Sequence, residues 1–140
     1  VSIFDPPDVP MPPLPMLPMG IVLLSGDITR QHFALMTANA ALAMGRDVVL
    51  FATMDGVAAF TPAGSARHAA RDAELAARGV AGFAELLASA IEMQARLIVC
   101  DAGLKAMGLS EADLDPALQG EIAGLVTFHE AVGDGAIVVM

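Results

Sequence analysis

The chain has 140 residues, 56% of them hydrophobic and only 16% charged, with a net charge of −9. That length fits one domain, and the acidic balance excludes a protein that grips nucleic acid or an anionic membrane surface through Lys and Arg. So large an apolar share exceeds what a small monomer readily hides and predicts a homo-oligomer.

Seven of the nine prolines lie between Pro6 and Pro18. Proline fixes φ and lacks an N–H donor, so residues 1–19 are predicted to be a Pro/Met-rich extended arm, in polyproline II form or disordered. Met11, Met16 and Met19 are soft thioether donors, but no His or Cys reinforces them and no metal site is expected. The domain proper is expected over 20–140.

Ile21-Val22-Leu23-Leu24 has the continuous apolar character of a strand buried on both faces. Ser25-Gly26-Asp27 follows as a turn, with Asp27 as N-cap. From Ile28 to Met44 the spacing of Phe33, Met36, Ala40, Ala43 and Met44 predicts the buried face of a helix, with Gly45 ending it. Asp47 to Ala52 is the second strand, completing a βαβ unit with a right-handed crossover.

Thr53 to Ala63 reads as a loop or short helix around Val57-Ala58-Ala59-Phe60. Residues 64–79 are Ala/Arg-rich with little apolar periodicity and predict a mobile helix or an excursion. Phe83, Leu86, Leu87, Ala90 and Ile91 share one face of a second clear helix, and Arg96 to Cys100 is the third strand. Ser110-Glu111-Ala112-Asp113 has the form of a capping box. Glu121 to Val132 is expected to be helical, with Ile122, Leu125, Val126 and Phe128 inward. Gly133-Asp134-Gly135 turns the chain into a final strand, Ala136 to Met140. The alternation predicts an α/β fold, a flavodoxin-like three-layer α/β/α sandwich with a mostly parallel sheet of four to five strands.

Chemistry in such a sheet gathers beyond the carboxyl ends of the strands, where Cys100 falls. A lone thiol there is either an inert buried hydrophobe or a nucleophile. A following helix start and Lys105 would favour its anion, and Asp101 would oppose it. Ser25, Gly26, Asp27 and Asp55 follow the first two strands at the same edge and are candidates to line the site. The turn at Ser25 matches neither G-x-G-x-x-G nor a P-loop, so no nucleotide or other cofactor is expected. His32, His68 and His129 have no metal-ligand spacing; His68, between Arg67 and Arg71, is the best placed to approach Cys100 as a lid. With no apolar run of roughly 18–20 residues, no secretory signal and no disulfide framework, no membrane span is expected and a reducing cytoplasm is the expected location.

Read together, these segments resemble the DsrE/DsrF-like family. Ser25-Gly26-Asp27 precedes an Ala-rich helix ending Ala43-Met44-Gly45, then come Val48-Val49-Leu50-Phe51 and Asp55-Gly56. The strongest stretch is Phe83 to Leu109, with Arg96-Leu97-Ile98-Val99-Cys100 and Met107-Gly108-Leu109. Ala123-Gly124-Leu125-Val126-Thr127-Phe128 and the terminal strand complete it. The resemblance covers about residues 20–140 and implies a flavodoxin-like fold, a trimer or hexamer, and relay of sulfur as a cysteine persulfide between sulfur-carrier or sulfurtransferase proteins. Cys100 matches the sulfur-carrying cysteine of stand-alone members with this Cys…Met-Gly pattern. The chain departs from them in its short Ala/Arg-rich stretch at 64–79 and in Asp101-Ala102-Gly103-Leu104-Lys105-Ala106. The alternative from another class is a non-catalytic oligomeric binding module whose cysteine merely packs.

Overall fold

A computed structural model describes residues 16–140; residues 1–15, which hold most of the Pro/Met-rich arm and Met11, lie outside the described residues. The chain runs β1 (Met19–Leu23), α1 (Ile28–Ala43), β2 (Val48–Ala52), a 3₁₀ helix (Met54–Phe60), α2 (Pro62–Ala77), α3 (Phe83–Glu92), β3 (Arg96–Cys100), α4 (Asp101–Ala106), a 3₁₀ turn (Glu111–Asp113), β4 (Glu121–Ala123), α5 (Leu125–Val132) and β5 (Ile137–Val139). The sheet has the order β4-β3-β2-β1-β5 and every neighbouring pair is parallel. The strands step one way from β1 to β4, and α5 carries the chain back to the far side of β1. The expected α/β three-layer architecture is therefore present. No helix among the described residues is long and apolar enough to cross a membrane.

Two cores follow from the pleat. Successive side chains of a strand point to opposite faces, and here both faces are covered, so the buried positions of the central strands are apolar on both sides. Ile21, Leu23, Val48, Leu50, Ala52, Leu97 and Val99 face one way, against Ala34, Leu35 and Ala38 of α1 and Phe83 of α3. Val22, Val49, Phe51, Ile98 and Cys100 face the other way, against Phe128 and Val132 of α5. The second core is held mainly by one eight-residue helix, through Phe128 lying 4.9 Å from Phe51 between ring centroids.

Three expectations are corrected. The buried face of α1 is Gln31, Ala34, Leu35, Ala38 and Ala41, whereas Phe33, Met36 and Met44 are exposed. A helix apolar around most of its circumference carries no decisive periodicity, and the alanine face lets the backbone lie close on the sheet. Second, Glu121–Ala123 is a strand, not the start of a helix: it pairs with Ile98–Cys100, and Glu121 Oε1 accepts from Arg96 Nε at 2.5 Å. The helix begins only after Gly124. Third, residues 62–77 form one continuous helix, capped by the Thr61 side chain accepting from Gly64 N. Its buried positions are Gly64, His68 and Leu75, a stripe with a single large apolar side chain. The Ser110 box opens a single 3₁₀ turn, with Ser110 N–H donating to Asp113 Oδ2 at 2.8 Å.

Because Phe128 ties α5 to the sheet and is fully buried, Phe128→Ala is expected to cost about 3–5 kcal/mol of stability. Val126→Ala, on the exposed side of the same helix, should stay within about 0.5 kcal/mol. Chemical denaturation of the two variants checks the contrast.

Candidate functional site

Cys100 is the last residue of β3 and the N-cap of α4. Its Sγ accepts the Gly103 N–H at 3.3 Å, the type of contact that an anionic sulfur uses. The close turn needs a glycine: a Cβ on Gly103 would lie 2.7 Å from Met54 N. The pleat turns Cys100 toward α5, into the core of Phe51, Ile98 and Phe128, where it is only 5% exposed. A cavity of about 300 Å³ borders α4, walled by Asp101, Leu104, Lys105, Leu109 and Ile122 among others, without Cys100. Lys105 Nζ sits 3.3 Å from Asp101 Oδ2 on the exposed side of α4, so its charge is paired there.

The other candidates gather at the ends of β1 and β2. Asp27 caps α1, accepting from Thr29 N at 3.0 Å, and Ser25 Oγ accepts from Asp27 N at 3.0 Å. Gly26 lies against Asp55, to whose Cβ a side chain on Gly26 would come within 3.3 Å. Asp55-Gly56 turns directly beneath β1: Gly56 N donates to Leu24 O at 3.2 Å, and a Cβ on Gly56 would collide with the Leu23 carbonyl. From α2, Arg67 Nη2 reaches Gly26 O at 3.5 Å.

His68 is drawn into the same cluster by a residue that the sequence reading missed, Gln31. Gln31 Nε2 donates to the Ser25 carbonyl at 2.9 Å, and Gln31 Oε1 lies 2.6 Å from His68 Nε2. A carbonyl only accepts, so Ser25 fixes which end of the Gln31 amide is which. Gln31 Oε1 is then the acceptor and His68 Nε2 carries the hydrogen. The imidazole stacks on Phe83 with centroids 3.7 Å apart and planes 11° apart, and it is 2% exposed. Burial pushes its pKa below the usual histidine value; Asp72 opposes this, and Arg67 and His32 add to it. Polar Gln31 on a helix face directed at the sheet was the available signal: a buried amide needs partners.

These groups form two sites, not one. His68 belongs to the face covered by α1–α3 and Cys100 to the face covered by α5. His32 is occupied with Ala81 O at 2.8 Å and Arg71 with Glu74 at 2.9 Å. Among the described residues no group of three or more His, Cys, Asp or Glu is placed to hold a metal ion.

The model of the DsrE/DsrF-like family matches residues 19–140. The chain belongs to that family. DsrE/DsrF-like proteins are associated with sulfur relay. Solved structures share its fold, among them the following two. The YchN protein from E. coli is 18% identical with a TM-score of 0.62, the alignment covering 89% of this chain and 100% of that one. MTH1491 from Methanobacterium thermoautotrophicum, described as a protein of unknown function, is 14% identical with a TM-score of 0.55, covering 89% and 99%. Comparison with curated proteins gives no match. For this DsrE/DsrF-like chain, the family match includes Cys100 and the Gln31–His68 pair alike.

The depressed His68 pKa has a definite sign. The folded state resists protonation at a site whose unfolded value is 6.5. The unfolded chain therefore binds the proton first as pH falls. The contribution is complete above pH 6.5 and declines below it, toward the lower folded value. Urea unfolding at pH 7.5 and at stepwise lower pH is expected to show this loss in the wild type and a smaller one in His68→Gln. Equal pH dependence in both would contradict it.

Proposed function

We propose that this protein is a cytoplasmic sulfur-trafficking protein that carries sulfane sulfur as a persulfide on Cys100, exchanging it with a sulfur-carrier or sulfurtransferase protein. The observation that carries the reading is Cys100 Sγ at the carboxyl end of β3, accepting the Gly103 N–H. The Cys100 thiolate attacks the outer sulfur of a donor persulfide, R–S–SH. A new S–S bond forms on Cys100, the donor's S–S bond breaks, and the donor leaves as R–S⁻. An acceptor thiolate then repeats the step on the Cys100 persulfide, so sulfur moves with no external oxidant or reductant. Rates follow thiolate fraction and access.

Access is the demanding part of this mechanism. The segment over Cys100 is β4 and the start of α5, with Ala123 in register beside it. β4 has three residues, forms an edge of the sheet and is flanked by Gly120 and Gly124. Edges of this kind open at lower free energy than central strands. Leu125 and Val126, exposed at the head of α5, offer a partner an apolar hold beside that opening.

Burial of Cys100, and its service as a cap, favour a second reading: an oligomeric binding module whose cysteine is structural. Incubation with a persulfide donor followed by intact-mass measurement separates the two. The relay reading expects one added sulfur on the wild type, none on Cys100→Ser, and transfer to an acceptor thiol. A wild-type mass that stays unchanged while the unfolded chain accepts sulfur contradicts it.

A homo-oligomer, a trimer or hexamer, is part of the same proposal. Phe33 is 54% exposed and lines an apolar hollow of about 420 Å³ with Val138, Val139 and Met140 of the β5 edge. Exposed apolar surface of this kind marks interfaces. Phe33→Asp is expected to shift the mass measured by light scattering toward the monomer, with the fold preserved by circular dichroism. A variant that keeps the wild-type oligomer places the interface elsewhere.

A further inference from the structure

A further cavity, of about 460 Å³, lies on the α1–α3 side of the sheet, remote from the face that holds Cys100. Its floor is His68 and Phe83, and its walls include Leu87, Ile91 and Leu118. The frame around it is pinned. Asp72 of α2 accepts from Phe83 N at 2.7 Å and Ala84 N at 3.0 Å, tying α2 to the start of α3. Asp115 N donates to Phe60 O at 2.8 Å and holds the Asp115–Leu118 segment along the cavity wall. The volume falls within the range of small-molecule sites, and so does the pattern of apolar walls with few polar groups.

The polar group at the floor is incomplete. His68 Nε2 gives its hydrogen to Gln31, so in the neutral ring Nδ1 bears a lone pair and no hydrogen. Nδ1 has no protein partner among the described residues, and no polar side-chain atom there is both sealed off and unpartnered. Nδ1 therefore opens onto the cavity that His68 lines. The relay Ser25–Gln31–His68 thus presents one fixed acceptor at the base of an apolar space.

We propose that this cavity is a binding site for a neutral, largely apolar small molecule with a single N–H or O–H donor, which it directs at His68 Nδ1. Glu92 and Asp115 on the wall disfavour anions, and a cation carried to the floor would lose its hydration for one neutral acceptor. The site is independent of Cys100 and of sulfur relay.

Indole and its isostere benzothiophene, which lacks the N–H, serve as probes. Titrations followed by NMR are expected to show indole binding at least about tenfold tighter, since only indole satisfies the acceptor. The His68 Nδ1 resonance should shift with indole and not with benzothiophene. His68→Phe should reduce indole to the benzothiophene level. Ile91→Trp, which fills the space and leaves the relay intact, should abolish binding of both and covers the case in which His68→Phe fails to fold. Equal affinity for the two probes, no binding of either, or a silent Nδ1 resonance on indole binding overturns the proposal.

Discussion

The alternation of side chains along a parallel sheet covered on both faces governs everything else in this molecule. Leu97 and Val99 turn toward α1–α3, while Ile98 and Cys100 turn toward α5. A shift of one residue in β3 would exchange these sets and move the thiol into the other core. The register with β2 and β4 fixes it where it is. The same constraint separates Cys100 from His68, although both lie near the carboxyl ends of the strands. The protein has two chemically distinct places, one built on sulfur and the other on a histidine relay.

Their environments differ in kind. Cys100 sits at the seam between a central strand and a short edge element, covered by one helix. Its neighbours are apolar apart from the Gly103 N–H. A thiol so enclosed meets solvent only when the covering segment moves. His68 is held from three directions, by Gln31, by the Phe83 ring and by the α2 backbone, and Asp72 locks the adjacent helix start. That second arrangement is fixed by its own hydrogen bonds and ring stacking.

Much of the fold was legible in the residues. Ile21–Leu24, Asp47–Ala52 and Arg96–Cys100 read as strands because a parallel sheet covered on both faces demands continuous apolar runs such as theirs. Amphipathic Phe83–Ile91 read as a helix for the opposite reason, one wet face. What was not legible has physical causes. In α1 alanines and larger apolar residues surround the axis, so Phe33 and Met36 looked inward when they face out. Glu121–Ala123 is too short, and too polar at its exposed end, to carry a strand pattern; pairing with β3 makes it one. The stripe of α2 is Gly64, His68 and Leu75, which no hydrophobic periodicity can find. Cys100 was visible as the sole thiol at a strand end, but its direction depends on register. Gln31 carried only the signal of a polar residue among buried ones; its partners, Ser25 and His68, are brought to either side of it by the fold.

Sulfur relay as proposed requires that Cys100 react from within the folded protein, through local opening of β4 and the start of α5. Its alkylation rate, followed against pH and at increasing low concentrations of urea, tests this most directly. Relay requires a measurable native-state rate that rises with pH as thiolate forms and that changes little with urea below the unfolding transition. A rate that is negligible in the native state and climbs with urea in step with global unfolding would show the sulfur to be sealed in, and would contradict it.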